Sequence, residues 1–130
     1  MAEQKSNIVV VDDDAGMNQA IERLLNAAGF RALTFASGEA LLKSGAAATA
    51  ACLVLDVHLP GLSGFELCRR LAKDGMVLPV IFITAYDDAD SHAQAKSAGA
   101  IAYFTKPFPG QSLVAAITRA LAVGPAASLS

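Results

Sequence analysis

Ile8-Val9-Val10-Val11-Asp12-Asp13-Asp14 sets four branched aliphatic residues directly against three acids. So short and β-branched a run reads as a strand buried on both faces, and the acids mark where it reaches the surface. The same figure returns along the chain. Cys52 to Leu55 is closed by Asp56, Val80 to Ile83 by Thr84, and Ile101 to Phe104 by Thr105-Lys106-Pro107, while Leu33 to Phe35 is a weaker version. Longer amphipathic stretches lie between the runs. Met17, Ala20, Ile21, Leu24, Leu25 and Ala28 recur at three- and four-residue spacing and stop at Gly29. Phe65, Leu67, Cys68 and Leu71 follow Gly64, and Leu113, Ala116, Ile117, Ala120 and Leu121 run towards Gly124-Pro125. Strand and helix alternate five times, which predicts an α/β domain: a doubly wound parallel sheet with helices on both faces.

Two helices are less clear. The second starts at a cap candidate, Ser37, and runs to Leu42, but Gly45 and the alanines of 46–51 leave its end open. The fourth, roughly Asp88 to Ala98, offers Ala89, Ala93, Ala95 and Ala98 without one large aliphatic residue, so it is expected to be the most mobile.

The 130 residues and 13.3 kDa fit one domain, taken as 1–124 with a tail or linker start at 125–130. A hydrophobic fraction of 54% excludes a disordered chain. The net charge of −2 supplies no basic field, which argues against direct nucleic-acid binding. No apolar stretch approaches the length of a membrane span and no signal peptide is seen, so a cytoplasmic location without membrane contact is expected. Cys52 and Cys68 read as small buried hydrophobes, not as a disulfide or metal pair. With no output domain following the fifth helix, a stand-alone or an excised module is expected.

In an open parallel sheet, ligands bind beyond the carboxyl ends of the strands. Asp12, Asp13, Asp56, Thr84 and Lys106 all fall at such ends. Two carboxylates about 4 Å apart repel by roughly 4 kcal/mol at an effective dielectric of 20, so this cluster calls for a cation or raised pKa values. Oxygen ligands with room for a phosphate suit Mg²⁺. An acid cluster, a hydroxyl and an ammonium then describe a phosphoryl-transfer site with Asp56 as nucleophile.

These residues are where the sequence resembles a known family, the receiver domains of two-component response regulators. Ile8 to Asp14 is similar to its acidic-pair strand, and Leu53-Val54-Leu55-Asp56-Val57-His58-Leu59-Pro60-Gly61-Leu62-Ser63-Gly64 to its phosphoacceptor strand and turn. Ile83-Thr84-Ala85 and Phe104-Thr105-Lys106-Pro107-Phe108 resemble the switch and lysine motifs. The resemblance implies a flavodoxin-like (βα)5 fold with strand order 2-1-3-4-5. It implies that a sensor histidine kinase or phosphotransfer protein, or a small phosphodonor, phosphorylates Asp56. Mg²⁺, or Mn²⁺ in its place, would be held by Asp13, Asp56 and the backbone carbonyl of His58, with Asp12 acting mainly through water. Thr84 and Lys106 would meet phosphoryl oxygens, small Ala85 would leave room for the donor, and Tyr103 would switch rotamer. Lys106-Pro107 would be cis. The surface of helix four, strand five and helix five would then address an output domain or protein, with transcription as one output and a phosphorylation-dependent homodimer as one form.

Other residues carry weaker readings. His58 and Tyr86 are either tuners of water access or plain loop residues, and His92 is a solvated helix residue with no assigned role. Asp14, Asp87, Asp88 and Asp90 read as helix-start acids, and Phe65 and Phe82 as core. Two alternatives compete. A haloacid-dehalogenase-like phosphatase would want a second acid two residues after its nucleophile, where this chain has His58. The other is a flavodoxin-like flavin binder or an unphosphorylated interaction domain; a flavin would want a Ser/Thr/Gly-rich phosphate loop after the first strand, where Asp12 to Asp14 would repel its phosphate unless metal intervened.

Overall fold

Every apolar run becomes a strand. The computed structural model describes residues 6–123. It runs β1 (Asn7–Val11), α1 (Ala15–Ala27), β2 (Arg31–Phe35), α2 (Gly38–Ser44), a 3-10 turn (Ala46–Thr49), β3 (Cys52–Asp56), α3 (Gly64–Lys73), β4 (Val80–Thr84), α4 (Ala89–Ser97), β5 (Ala102–Thr105) and α5 (Gly110–Val123). All neighbouring strands are parallel, in the order β2-β1-β3-β4-β5. The tail at 125–130 and the Gly124-Pro125 helix stop lie outside the described residues.

Alternation along each strand splits the core in two. Val9, Val11, Leu53, Leu55 and Phe82 face one side with Leu41, Phe65, Leu67 and Leu71 from α2 and α3. Ile8, Val10, Val54, Ile81 and Ile83 face the other with Ile21, Leu25, Leu113 and Ile117 from α1 and α5. Covered on both faces, a central strand has no polar side, which is why the sequence shows unbroken apolar runs. The edge strand β2 is only partly covered and carries exposed Arg31, so its signal is weak.

Gly45 settles the open end of α2. It closes that helix at φ +72°, a conformation that costs a residue with a Cβ, and the alanines beyond it form the 3-10 turn. One reading of the cysteines needs correcting. Cys52 is fully buried, but Cys68 is only partly so and lines a cleft of about 170 Å³ with Met76, Val77 and Leu78. Its place at the flank of the apolar stripe, beside exposed Arg69, leaves one side uncovered. Burial pushes the Cys52 thiol up to about 12 and that of Cys68 to about 11. No described helix is long and apolar enough to cross a membrane.

Candidate functional site

Register decides which residues meet. Val11 pairs with Leu55, so the next residues, Asp12 and Asp56, emerge side by side. Thr84 pairs with Thr105, and the Lys106 amide donates to the Thr84 carbonyl at 2.7 Å, which fixes the lysine at the same edge. The Lys106-Pro107 peptide is cis. Asp12 and Thr84 are fully buried and Asp56 nearly so, whereas Asp13 is exposed.

Ligand oxygens of Asp12, Asp13 and Asp56 lie within 4.8 Å of one another. Lys106 Nζ sits between two of these acids, 2.7 Å from Asp12 Oδ2 and 3.0 Å from Asp56 Oδ2. The other oxygens are held by backbone: His58 N–H donates to Asp56 Oδ1 at 3.0 Å, and Asp14 N–H to Asp12 Oδ1 at 2.9 Å. Burial raises the Asp56 pKa, and the charge of Asp12 adds to this against the hydrogen bonds from His58 and Lys106. For Lys106, burial opposes the charge but is outweighed by its bonds to Asp12 and Asp56, so its pKa rises. Three carboxylates against one ammonium leave two negative charges in a site that offers only oxygen ligands. That donor set matches a hard divalent cation.

The Thr84 hydroxyl is engaged locally, donating to the Tyr86 carbonyl at 3.0 Å and accepting from the Tyr86 N–H at 3.1 Å. Exposed His58 and Tyr86 meet edge to face with centroids 5.6 Å apart, bridging the loops that follow β3 and β4. Tyr103 is half-buried, and among the described residues its enclosed hydroxyl has no hydrogen-bond partner. Burial first, then the charges of Asp87 and Asp88, push this phenol up.

His92 is exposed, as a solvated helix residue should be, and one side of its ring also packs edge-on against Tyr103 at 5.0 Å. Asp14 and Asp88 cap α1 and α4, as helix-start acids should. Other contributors escaped the sequence. Gly64 presses on the end of β3 so closely that a Cβ there would collide with the Asp56 carbonyl oxygen. Glu39 of α2 reaches across to accept from the Leu62 N–H at 3.2 Å, bracing the loop after Asp56. Asn18 of α1 donates to the Asp12 carbonyl at 2.8 Å. None of these contacts has a local sequence signature, except that the Pro60-Gly61 turn and Gly64 announce a tight passage.

A strand order of 2-1-3-4-5, with an acid cluster and a lysine at the carboxyl edge, defines a flavodoxin-like domain with a polar site at its sheet edge. The sequence matches the response regulator receiver domain family over residues 8–118, and the chain belongs to that family. It is 39% identical to the response regulator protein TmoT of Ectopseudomonas mendocina, over 96% of this chain and 57% of that protein. It is 38% identical to the transcriptional regulatory protein TdiR of Thauera aromatica, over 91% of this chain and 52% of that one. The chain thus spans about half the length of the curated relatives it matches. Among solved structures, the BeF3-activated receiver domain of DrrB superposes with a TM-score of 0.83 at 34% identity, covering 92% of this chain and 99% of that one. The chain is therefore a signalling receiver domain of the two-component type, and its acid cluster is compatible with the Mg²⁺ pocket of that family.

Proposed function

We propose that Asp56 is the phosphoacceptor and that its phosphorylation resets the face formed by α4, β5 and α5. The observation that carries this is the Lys106 ammonium bonded to both Asp12 and Asp56 inside the acid cluster. An Asp56 carboxylate oxygen attacks the phosphorus of a phosphohistidine on a sensor kinase or phosphotransfer protein, or of a small acyl phosphate. The O–P bond forms as the bond to the leaving group breaks, and that group keeps the electron pair. Asp13, Asp56 and the His58 backbone carbonyl would hold Mg²⁺, or Mn²⁺ in its place, with Asp12 acting through water. Bound there, the ion offsets negative charge on the phosphoryl oxygens.

The protein's own groups do the rest. The His58 amide and Lys106 orient the Asp56 carboxylate, and Lys106 is already placed to pair with an incoming oxygen. Ala85, small and exposed, leaves the approach open. Thr84 exchanges the Tyr86 carbonyl for a phosphoryl oxygen, which releases the turn leading into α4. Tyr103 and His92 then repack. Moving a population from 1:99 to 99:1 takes about 5.5 kcal/mol. Two charge-assisted hydrogen bonds, at about 1.5–3 kcal/mol each, are of that order.

The receiver unit is read as residues 1–124, cytoplasmic, acting on an output domain or partner through the reset face. Relatives that include a transcriptional regulatory protein support a transcriptional output. Intact-mass measurement after incubation with acetyl phosphate tests the proposal. One phosphoryl group gained with Mg²⁺, and none without metal or in Asp56→Asn, is expected. A gain undiminished in Asp56→Asn would overturn it.

A further inference from the structure

We propose that Asn18 is a positioning residue for the metal-holding acids, an inference that rests on the reading of Asp12 and Asp13 as that pair. Asn18 lies in the first turns of α1 and is 8% exposed. Its Nδ2 donates to the Asp12 carbonyl at 2.8 Å and to the Phe35 carbonyl at 3.2 Å. The Phe35 carbonyl also accepts from the Asp12 N–H at 3.1 Å. Both peptide groups of Asp12 are therefore pinned, one by the end of β2 and the other by the carboxamide. The Asp12 carbonyl shares a rigid plane with the Asp13 N–H, so the carboxamide also sets the direction in which exposed Asp13 leaves the strand.

Chemistry fixes the amide's orientation. Turned over, it would press Oδ1 against two carbonyl oxygens, so Nδ2 must face Asp12 and Phe35. That choice leaves Oδ1 buried with no donor among the described residues, which is unfavourable, since buried polar atoms almost always find partners. A leucine of similar volume would remove that orphaned oxygen but take the donor from the buried Asp12 carbonyl. The carboxamide offers two donors in return: one holds the Asp12–Asp13 peptide directly, and the other holds the Phe35 carbonyl that receives the Asp12 N–H. Residues behind metal ligands commonly set affinity in this way.

Asn18→Leu keeps the volume and removes both donors. Calorimetric Mg²⁺ titration is expected to show affinity reduced roughly 10- to 100-fold, in line with losses of ligand-supporting partners elsewhere. Phosphorylation by acetyl phosphate should then need correspondingly more Mg²⁺ while reaching the wild-type rate at saturation, a split that mere loss of fold stability does not produce. Unchanged Mg²⁺ affinity in a folded variant, beside a wild type that binds normally, overturns the role of Asn18 alone. A wild type that binds no Mg²⁺ overturns the underlying metal reading instead. Should the leucine variant not fold, the Asn18 side-chain NH₂ resonances decide in the wild type: they are expected to shift with the Mg²⁺ midpoint of the Asp13 amide, and resonances that stay fixed contradict the inference.

Discussion

α3 and α4 both leave strands that end at the site, yet they are built oppositely. α3 follows Asp56, starts with a reciprocal capping box between Ser63 and Glu66, and buries Phe65, Leu67 and Leu71. Each such side chain is worth about 1.5–3 kcal/mol of burial. α4 follows Thr84, has the single side-chain cap of Asp88, and buries only Ser91 and Ala95. The helix after Asp56 is thus an anchor, and the helix after Thr84 is loosely held. A local charge event at the shared edge moves whichever side resists less, so the proposed phosphorylation would direct its response towards α4.

The comparison breaks most readily at its anchor. Leu67→Ala removes a fully buried side chain and is expected to cost about 2–5 kcal/mol in urea unfolding, whereas Ala95→Gly in α4 should cost about 1 kcal/mol. Equal losses would mean that the two helices do not differ in anchorage. Gly64→Ala sharpens the same point at the site. With no space for a Cβ against the Asp56 backbone, the strand end or the α3 start must shift. The expected result is a loss of about 1–3 kcal/mol in stability together with slower acetyl phosphate labelling. A variant with normal labelling would show that Asp56 does not depend on that contact.

A smaller effect reads the cap of α4 by pH. The Ser91 backbone N–H, donating to Asp88, holds that carboxylate below its usual range. A depressed folded pKa contributes stability that is present above the unfolded value and is lost as pH falls through the folded one. Acidification should therefore fray the start of α4, seen as faster amide exchange at Ser91 and His92, and Asp88→Asn should flatten this dependence while keeping a cap. The same dependence persisting in Asp88→Asn would place its origin elsewhere.

Much of this was legible in the chain. Asp12, Asp56, Thr84 and Lys106 could be read because each closes an apolar run, and parallel pairing must bring such closing residues to one edge. The weak fourth helix was equally plain from its missing aliphatics. Gly64, Glu39, Asn18 and the His92 ring contact were not, because each acts on backbone or aromatic groups of another element, and no periodicity encodes which loop lies across the way. Cys68 misled for a related reason: helical spacing places a residue on the apolar stripe but does not say that the stripe's flank opens into a cleft.

Hydrogen–deuterium exchange of the protein with and without acetyl phosphate and Mg²⁺, beside Asp56→Asn, tests the switch most directly. The account predicts that protection changes at residues 85–97 and 102–105 while α3 stays as it was, and that the variant shows no change. A response centred on α3, or an equal response in Asp56→Asn, would contradict it.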